Sequence, residues 1–210
     1  GKADEINTCI GCNQACLDHT FSGKLTSCLV NPRACHETEL NYIPTIKVKK
    51  IAVVGAGPAG LAAATVAAER GHTVTLFDSA QEIGGQFNVA KLIPGKEEFY
   101  ETLRYFEHKL QATQVNVQLG QRVTAQDLLE QDFDEVLLAT GIVPRVPEIP
   151  GIDHPKVMGY LDAILERKPV GEKVAVIGAG GIGFDVSELL THSGKSTSLD
   201  PEAFWKEWGI

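Results

Sequence analysis

The sequence predicts an α/β fold built on a parallel sheet, preceded by a loop-rich cysteine segment. Three observations carry this. From residue 50 onward, short β-branched runs alternate with helical patterns. Two glycine-rich turns, "GAGPAG" at 55–60 and "GAGGIG" at 178–183, each follow such a run and open a helix. Four of the five cysteines crowd into residues 9–28, ahead of the first strand, where periodicity is weak.

Taken in order, residues 1–46 read as turns and loops wrapped around something, ending in the extended "NYIPTIKVKK". Ile51–Val54 is a continuous apolar run, the signature of a parallel strand covered on both faces. An alanine-rich helix over Pro58–Arg70 stops at Gly71, and a second strand, Thr73–Phe77, ends at Asp78. Together these make a βαβ unit. In 96–112, Phe99, Leu103, Phe106 and Leu110 recur at helical spacing and mark an amphipathic helix. Strands are expected at Val115–Leu119 and Glu135–Ala139. After "ATG" at 139–141, the segment holding Pro144, Pro147, Pro150 and Pro155 excludes a helix and marks a boundary. "KVAVI" at 173–177 then opens a second strand–turn–helix unit. The polar tail "KSTSLDPEAFWKEWG" supplies no second strand for it. The expected domains are therefore 1–46, 47–150 and 151–210.

Composition narrows the class. At 43% hydrophobic and 22% charged, the chain has enough apolar residues for a folded core. A net charge of −8 argues against a nucleic-acid or anionic-membrane surface. No apolar run reaches the roughly 18 residues of a membrane span, and "GKADEINTC" lacks the features of a secretory leader. A cytoplasmic, reducing compartment is the expectation, and structural disulfides are rare there. The chain lacks an initiator Met and stops soon after its second glycine motif, which leads us to expect a piece of a longer polypeptide.

The first glycine motif has the chemistry of a pyrophosphate cradle. Gly55 permits the tight turn off the strand, Gly57 lets the backbone approach phosphate, and Gly60 lets helix and sheet pack closely. The helix N-terminus then faces the anion. Asp78 lies 18 residues past Gly60 (78 − 60) at the next strand end, where a carboxylate can take ribose hydroxyls. That context makes a Rossmann-like dinucleotide site a better reading than a plain glycine turn or a solvated strand-end acid. Gly178, Gly180 and Gly183 repeat the pattern.

The cysteines, spaced C-x2-C-x3-C-x11-C, leave a [4Fe–4S] cluster, a zinc site and free or disulfide-bonded thiols open. Zinc usually pairs two C-x2-4-C knuckles. Cys9, Cys12 and Cys16 instead sit on one tight loop, with Cys28 distant, and that arrangement favours the cluster. Cys35 reads as a small buried hydrophobe.

"GAGPAGLAAA", "EIGGQF" at 82–87 and "ATG" resemble the flavoproteins that carry two nucleotide-binding domains. The resemblance implies an FAD/NAD(P)-binding two-domain flavoprotein fold, here incomplete. FAD would be held by Gly55, Gly57, Ala59, Gly60, Asp78, Gln86 and Gly141, and by the main chain at Val123 near the adenine. A nicotinamide dinucleotide would be held by Gly178, Gly180 and Gly183. In that family the strand-end acid is often Glu, so Asp78 shortens the reach.

The order of cysteine cluster, connector and FAD-type fingerprint resembles the iron–sulfur flavoproteins related to old yellow enzyme. "CIGCNQACLD", "SCLVNPRACHE" and "VAVIGAGGIGFDV" look closest to its NADPH-dependent 2,4-dienoyl-CoA reductases. The resemblance implies that Cys9, Cys12, Cys16 and Cys28 ligate a [4Fe–4S] cluster relaying electrons from NADPH and FAD. Their destination would be an FMN in a TIM barrel upstream of Gly1, where a 2,4-dienoyl-CoA thioester is reduced for fatty-acid β-oxidation. The substrate-reducing groups would lie in that barrel, and no catalytic acid or base is expected in this chain. The rivals are an amine dehydrogenase, a subunit like the small subunit of glutamate synthase, and a nucleotide-binding module that holds ADP without redox turnover.

Overall fold

The computed structural model describes residues 1–210, which divide into two compact units. Unit 1 comprises 1–87 and 98–141; unit 2 comprises 88–97 and 142–210.

Unit 1 holds a four-stranded, all-parallel sheet of β1 (Lys50–Val54), β2 (Thr73–Phe77), β3 (Asn116–Gln118) and β4 (Glu135–Leu138), in the order β3-β2-β1-β4. β1 is central, with Ile51 beside Val74 on one side and Glu135 on the other. Its position explains its sequence: a strand covered on both faces wants an unbroken apolar run, and Ile51, Ala52 and Val53 are all buried.

Helix α1 (Pro58–Glu69) starts with proline in its first turn, where a missing N–H costs nothing. It buries Gly60, Leu61, Ala64 and Thr65. The Thr65 hydroxyl is satisfied by donating to Leu61 O at 2.8 Å. Helix α2 (Glu98–Ala112) turns Leu103, Phe106 and Leu110 inward, as its periodicity predicts. Leu61, Leu76, Phe106 and Leu110 share one core cluster, and Lys109 of α2 pairs with Glu69 of α1. A short helix, α3 (Ala125–Glu130), escapes the apolar pattern and is set by a capping box between Thr124 and Asp127. β4 forms one edge of the sheet, with Leu138 three-quarters exposed. The N-terminal residues are mostly loop, with one helical turn at Gln14–Asp18 running into His19–Phe21. They are tied to α2 by Arg104, which donates to Ile6 O at 3.1 Å.

Unit 2 has a small core of Ile93, Ala163, Ile164 and Val186. It contains α4 (Tyr160–Ile164), α5 (Gly181–Thr191) and α6 (Pro201–Trp208). The Lys96 amine grips both oxygens of Asp185 on α5, at 2.6 and 2.7 Å. The strand expected at 173–177 does not form, and Ile177 is 80% exposed. A β-strand exists through its hydrogen-bonded neighbours, and unit 2 offers none. The polar tail, which could not supply a strand, forms α6 instead. Asp200 caps it through Ala203 N, and Gly209 ends it at φ +70°.

Candidate functional site

Two constellations in unit 1 carry chemistry, and each begins with backbone geometry. In the first, Gly11 and Asn13 adopt positive φ, +63° and +56°, so the chain coils tightly about Cys12. The backbone N–H of Ser27 donates to Ala15 O at 2.8 Å, which brings the arm carrying Cys28 against the arm carrying Cys16. Thr20 Oγ1 donates to Cys16 O at 2.9 Å and meets Thr26 Oγ1 at 2.8 Å, closing the intervening loop. Cys9, Cys12, Cys16 and Cys28 consequently line one cavity, whose remaining wall includes Ile10, Leu29 and Val30.

Four free thiols facing an apolar pocket suit a soft, polynuclear metal group. Gly11 N already donates to Cys9 Sγ at 3.4 Å, the kind of contact that tunes a thiolate ligand. A [4Fe–4S] group takes four thiolates, each on a different iron, and Cys9, Cys12, Cys16 and Cys28 are the residues that would hold it. Cys35 lies outside the cavity. It is exposed and at φ +63°, so the expectation of a buried hydrophobe is corrected: the turn 32–35 presents it to solvent.

The second constellation lies at the carboxyl ends of the strands, where open α/β sheets bind ligands. Gly55 leaves β1 at φ +109°, a conformation that L side chains rarely adopt, while its N–H donates to Phe77 O at 2.7 Å. A Cβ on Gly55 would stand 2.2 Å from Ala139 O, and one on Gly60 would stand 1.7 Å from Gly55 O. Both positions therefore require glycine. Asp78, at the end of β2, spends both carboxylate oxygens on backbone. Oδ2 accepts from Ala56 N at 2.6 Å and Oδ1 from Ala80 N at 2.8 Å. The strand-end acid thus fixes the glycine loop directly, a role its sequence position does not reveal.

Gly57 extends across the helix mouth and touches Gly85, whose Cα would lie 4.0 Å from a Cβ added at Gly57. Gly84 N donates to Ala56 O at 2.8 Å, so the loop bearing Gln86 is fastened onto the glycine turn. The pair Gly84-Gly85, both at positive φ, was the available signal for this contact. Ala59 is exposed on the first turn of α1, and Gly141 follows β4 at φ +73°. Gln121 N donates to Asp78 O at 2.9 Å, which brings the chain leading to half-buried Val123 alongside the same strand end.

In unit 2 the second glycine motif keeps the same turn. Gly178 has φ +117°, Gly180 is extended, and a Cβ on Gly183 would stand 2.0 Å from Gly178 O.

Comparison with known proteins agrees with this geometry. Residues 49–200 match the family described as pyridine nucleotide-disulphide oxidoreductase. The chain is 39% identical to a metal reductase of Desulforamulus reducens, over 96% of this chain and 30% of that protein. It is 35% identical to a cinnamate reductase of Clostridium sporogenes, over 94% of this chain and 30% of the relative. Among solved structures, a 2-naphthoyl-CoA reductase complex superposes with a TM-score of 0.84 at 34% identity, covering 89% of this chain and 29% of that one. The chain thus spans about a third of the length of the relatives it matches.

Proposed function

The chain belongs to the pyridine nucleotide-disulphide oxidoreductase family, an FAD/NAD(P)-binding α/β fold, and from that premise we propose that it is the electron-input module of a larger NADPH-dependent iron–sulfur flavoprotein. When bound, FAD would accept a hydride from NADPH, and a [4Fe–4S] group would pass the electrons singly to an FMN in a TIM barrel preceding this chain.

The chain's own residues hold and orient. Asp78 fixes Ala56 N so that the turn from Gly55 to Gly60 presents its backbone and the α1 N-terminus to a pyrophosphate. Cys9, Cys12, Cys16 and Cys28 would hold the cluster. Gly178, Gly180 and Gly183 would take the nicotinamide dinucleotide. The observation that carries this reading is the assembly, within one compact unit, of a four-cysteine cavity and a phosphate-binding glycine turn. Reductases aligned over 96% and 94% of this chain support it.

For substrate we propose a conjugated acyl group, a 2,4-dienoyl-CoA thioester, reduced in the barrel. Support comes from relatives named for cinnamate and for 2-naphthoyl-CoA.

The test is an absorption spectrum with iron and acid-labile sulfide analysis on anaerobically purified protein. About four of each per chain, with flavin bands that NADPH bleaches, is the expected result. Zinc without sulfide would overturn the cluster, and ADP in place of FAD would overturn the redox role.

A further inference from the structure

We infer that Asn7 is the clasp of the cysteine cavity, a positioning residue for the group held there; the inference rests on the cluster reading above. Asn7 lies two residues before Cys9, and Val30 lies two residues after Cys28, so together they bracket the whole ligand segment. The Asn7 side-chain amide Nδ2 donates to Val30 O at 2.9 Å across 23 positions of sequence, and Val30 is itself part of the cavity wall. The contact therefore closes the ligand segment end to end.

Three details set this bond apart from an ordinary surface contact. Asn7 is half-buried, and its own neighbour Ile6 is anchored to α2 through Arg104. The clasp thus ties the Cys28 arm to a fixed point of unit 1. Apart from Asn7, the Cys28 arm is held to the Cys9–Cys16 arm by Ser27 N on Ala15 O, which grips the inner side of Cys28 and leaves its outer side to Asn7. Finally, Asn7 Oδ1 is buried without a partner. A buried, unsatisfied carbonyl oxygen costs stability, and an apolar residue of the same size would avoid that cost. Retaining an amide here makes sense if the N–H to Val30 is what the site needs. The amide orientation is fixed, because turning it over would set Oδ1 against the Val30 carbonyl oxygen.

The function assigned to Asn7 is preorganisation. It holds Cys28 across from Cys9, Cys12 and Cys16, so that the four thiolates that would hold the cluster are kept together without help from the cluster itself. The variants are Asn7→Leu, which keeps the size and removes both donor and orphan acceptor, and Asn7→Asp, which keeps the shape but presents only acceptors. The measurement is the rate of iron transfer to a ferrous chelator from anaerobically purified protein. Flavin content and far-UV circular dichroism are followed in parallel, with the EPR line shape of the reduced protein. Both variants should release iron about tenfold faster, the factor that loss of one hydrogen bond of ordinary strength gives. The EPR line shape should shift while flavin content and dichroism stay at wild-type values. Asn7→Leu releasing iron at the wild-type rate would overturn the clasp, as would loss of flavin and dichroism together with iron. Wild-type protein without iron or sulfide would sink the cluster reading and the clasp with it. Loaded wild type with indifferent variants would sink the clasp alone.

Discussion

At Gly55 and at Gly178 the chain makes the same turn twice. The φ values are +109° and +117°, the following helix is entered through an extended glycine in both, and the sixth residue of each motif admits no Cβ because the first residue's carbonyl occupies the space. Beyond the turn the two regions part. Gly55 leaves a strand paired on both sides, packs against Ala139 O, and is fixed by Asp78 through Ala56 N. Gly178 follows a segment that pairs with nothing, and a Cβ there would meet empty space. The turn is thus a property of six residues, whereas the strand before it belongs to its neighbours.

Substituting the first glycine of each motif breaks the comparison most severely. Gly55→Ala combines backbone strain with a steric clash against Ala139 O and should cost about 4 kcal/mol or more. Gly178→Ala meets strain alone and should cost about 1–2 kcal/mol. Trp205 and Trp208, the chain's two tryptophans, both lie in α6 of unit 2. Tryptophan fluorescence during urea unfolding therefore reports unit 2, and flavin content reports unit 1. Equal losses in the two variants would refute the idea that the sheet makes the difference.

A smaller effect is expected at Asp78, which has no counterpart in the second motif. Asp78→Ala should weaken flavin retention at least about tenfold and cost unit 1 about 2 kcal/mol, the worth of two charge-assisted hydrogen bonds at a half-exposed site. Asp78→Asn, which retains one acceptor, should fall between. Flavin titration of apoprotein gives the order, and an alanine variant that binds as tightly as wild type would remove Asp78 from the site.

The smallest effect concerns the ion pair that joins α1 to α2 in unit 1. Burial alone would lower the Lys109 pKa, but its hydrogen bond to Glu69 together with the charges of Tyr105, Glu69 and Glu5 outweighs burial and raises it above the ordinary lysine value. A raised folded-state pKa contributes stability that is present below the unfolded value, about 10.4, and is lost as pH climbs through the folded one. Lys109→Gln should therefore destabilise unit 1 by about 1 kcal/mol near neutrality. The gap from wild type should close as pH climbs past the ordinary lysine value and through the raised folded one. A gap that persists there would assign the loss to packing of the lysine stem.

Much of unit 1 was legible because its signals are local. The apolar run at 51–54, the alanine-rich helix ending at Gly71 and the helical spacing of Leu103, Phe106 and Leu110 each follow from a few adjacent residues. What escaped depends on distant partners. "KVAVI" has strand composition but finds no ladder. Cys35 has the composition of a buried residue, but its turn faces solvent. The bond from Asp78 to Ala56 N spans 22 positions and has no signature in sequence. The helix at 125–130 was missed for another reason: its marker is the Thr124–Asp127 capping box, not an apolar stripe.

The register of β1 also sets a timetable. Its pairing with β2 joins residues 23 positions apart, as in Ile51 with Val74 (74 − 51), whereas its pairing with β4 joins Ile51 to Glu135 across 84 (135 − 51). Closing the longer loop costs about 1.2 kcal/mol more in chain entropy, from (3/2)RT ln(84/23). On a ribosome the βαβ unit, glycine turn included, can form while β4 is still unsynthesised. Ala139 O, which closes on Gly55, arrives only afterwards. The glycine turn is therefore shaped early and locked late.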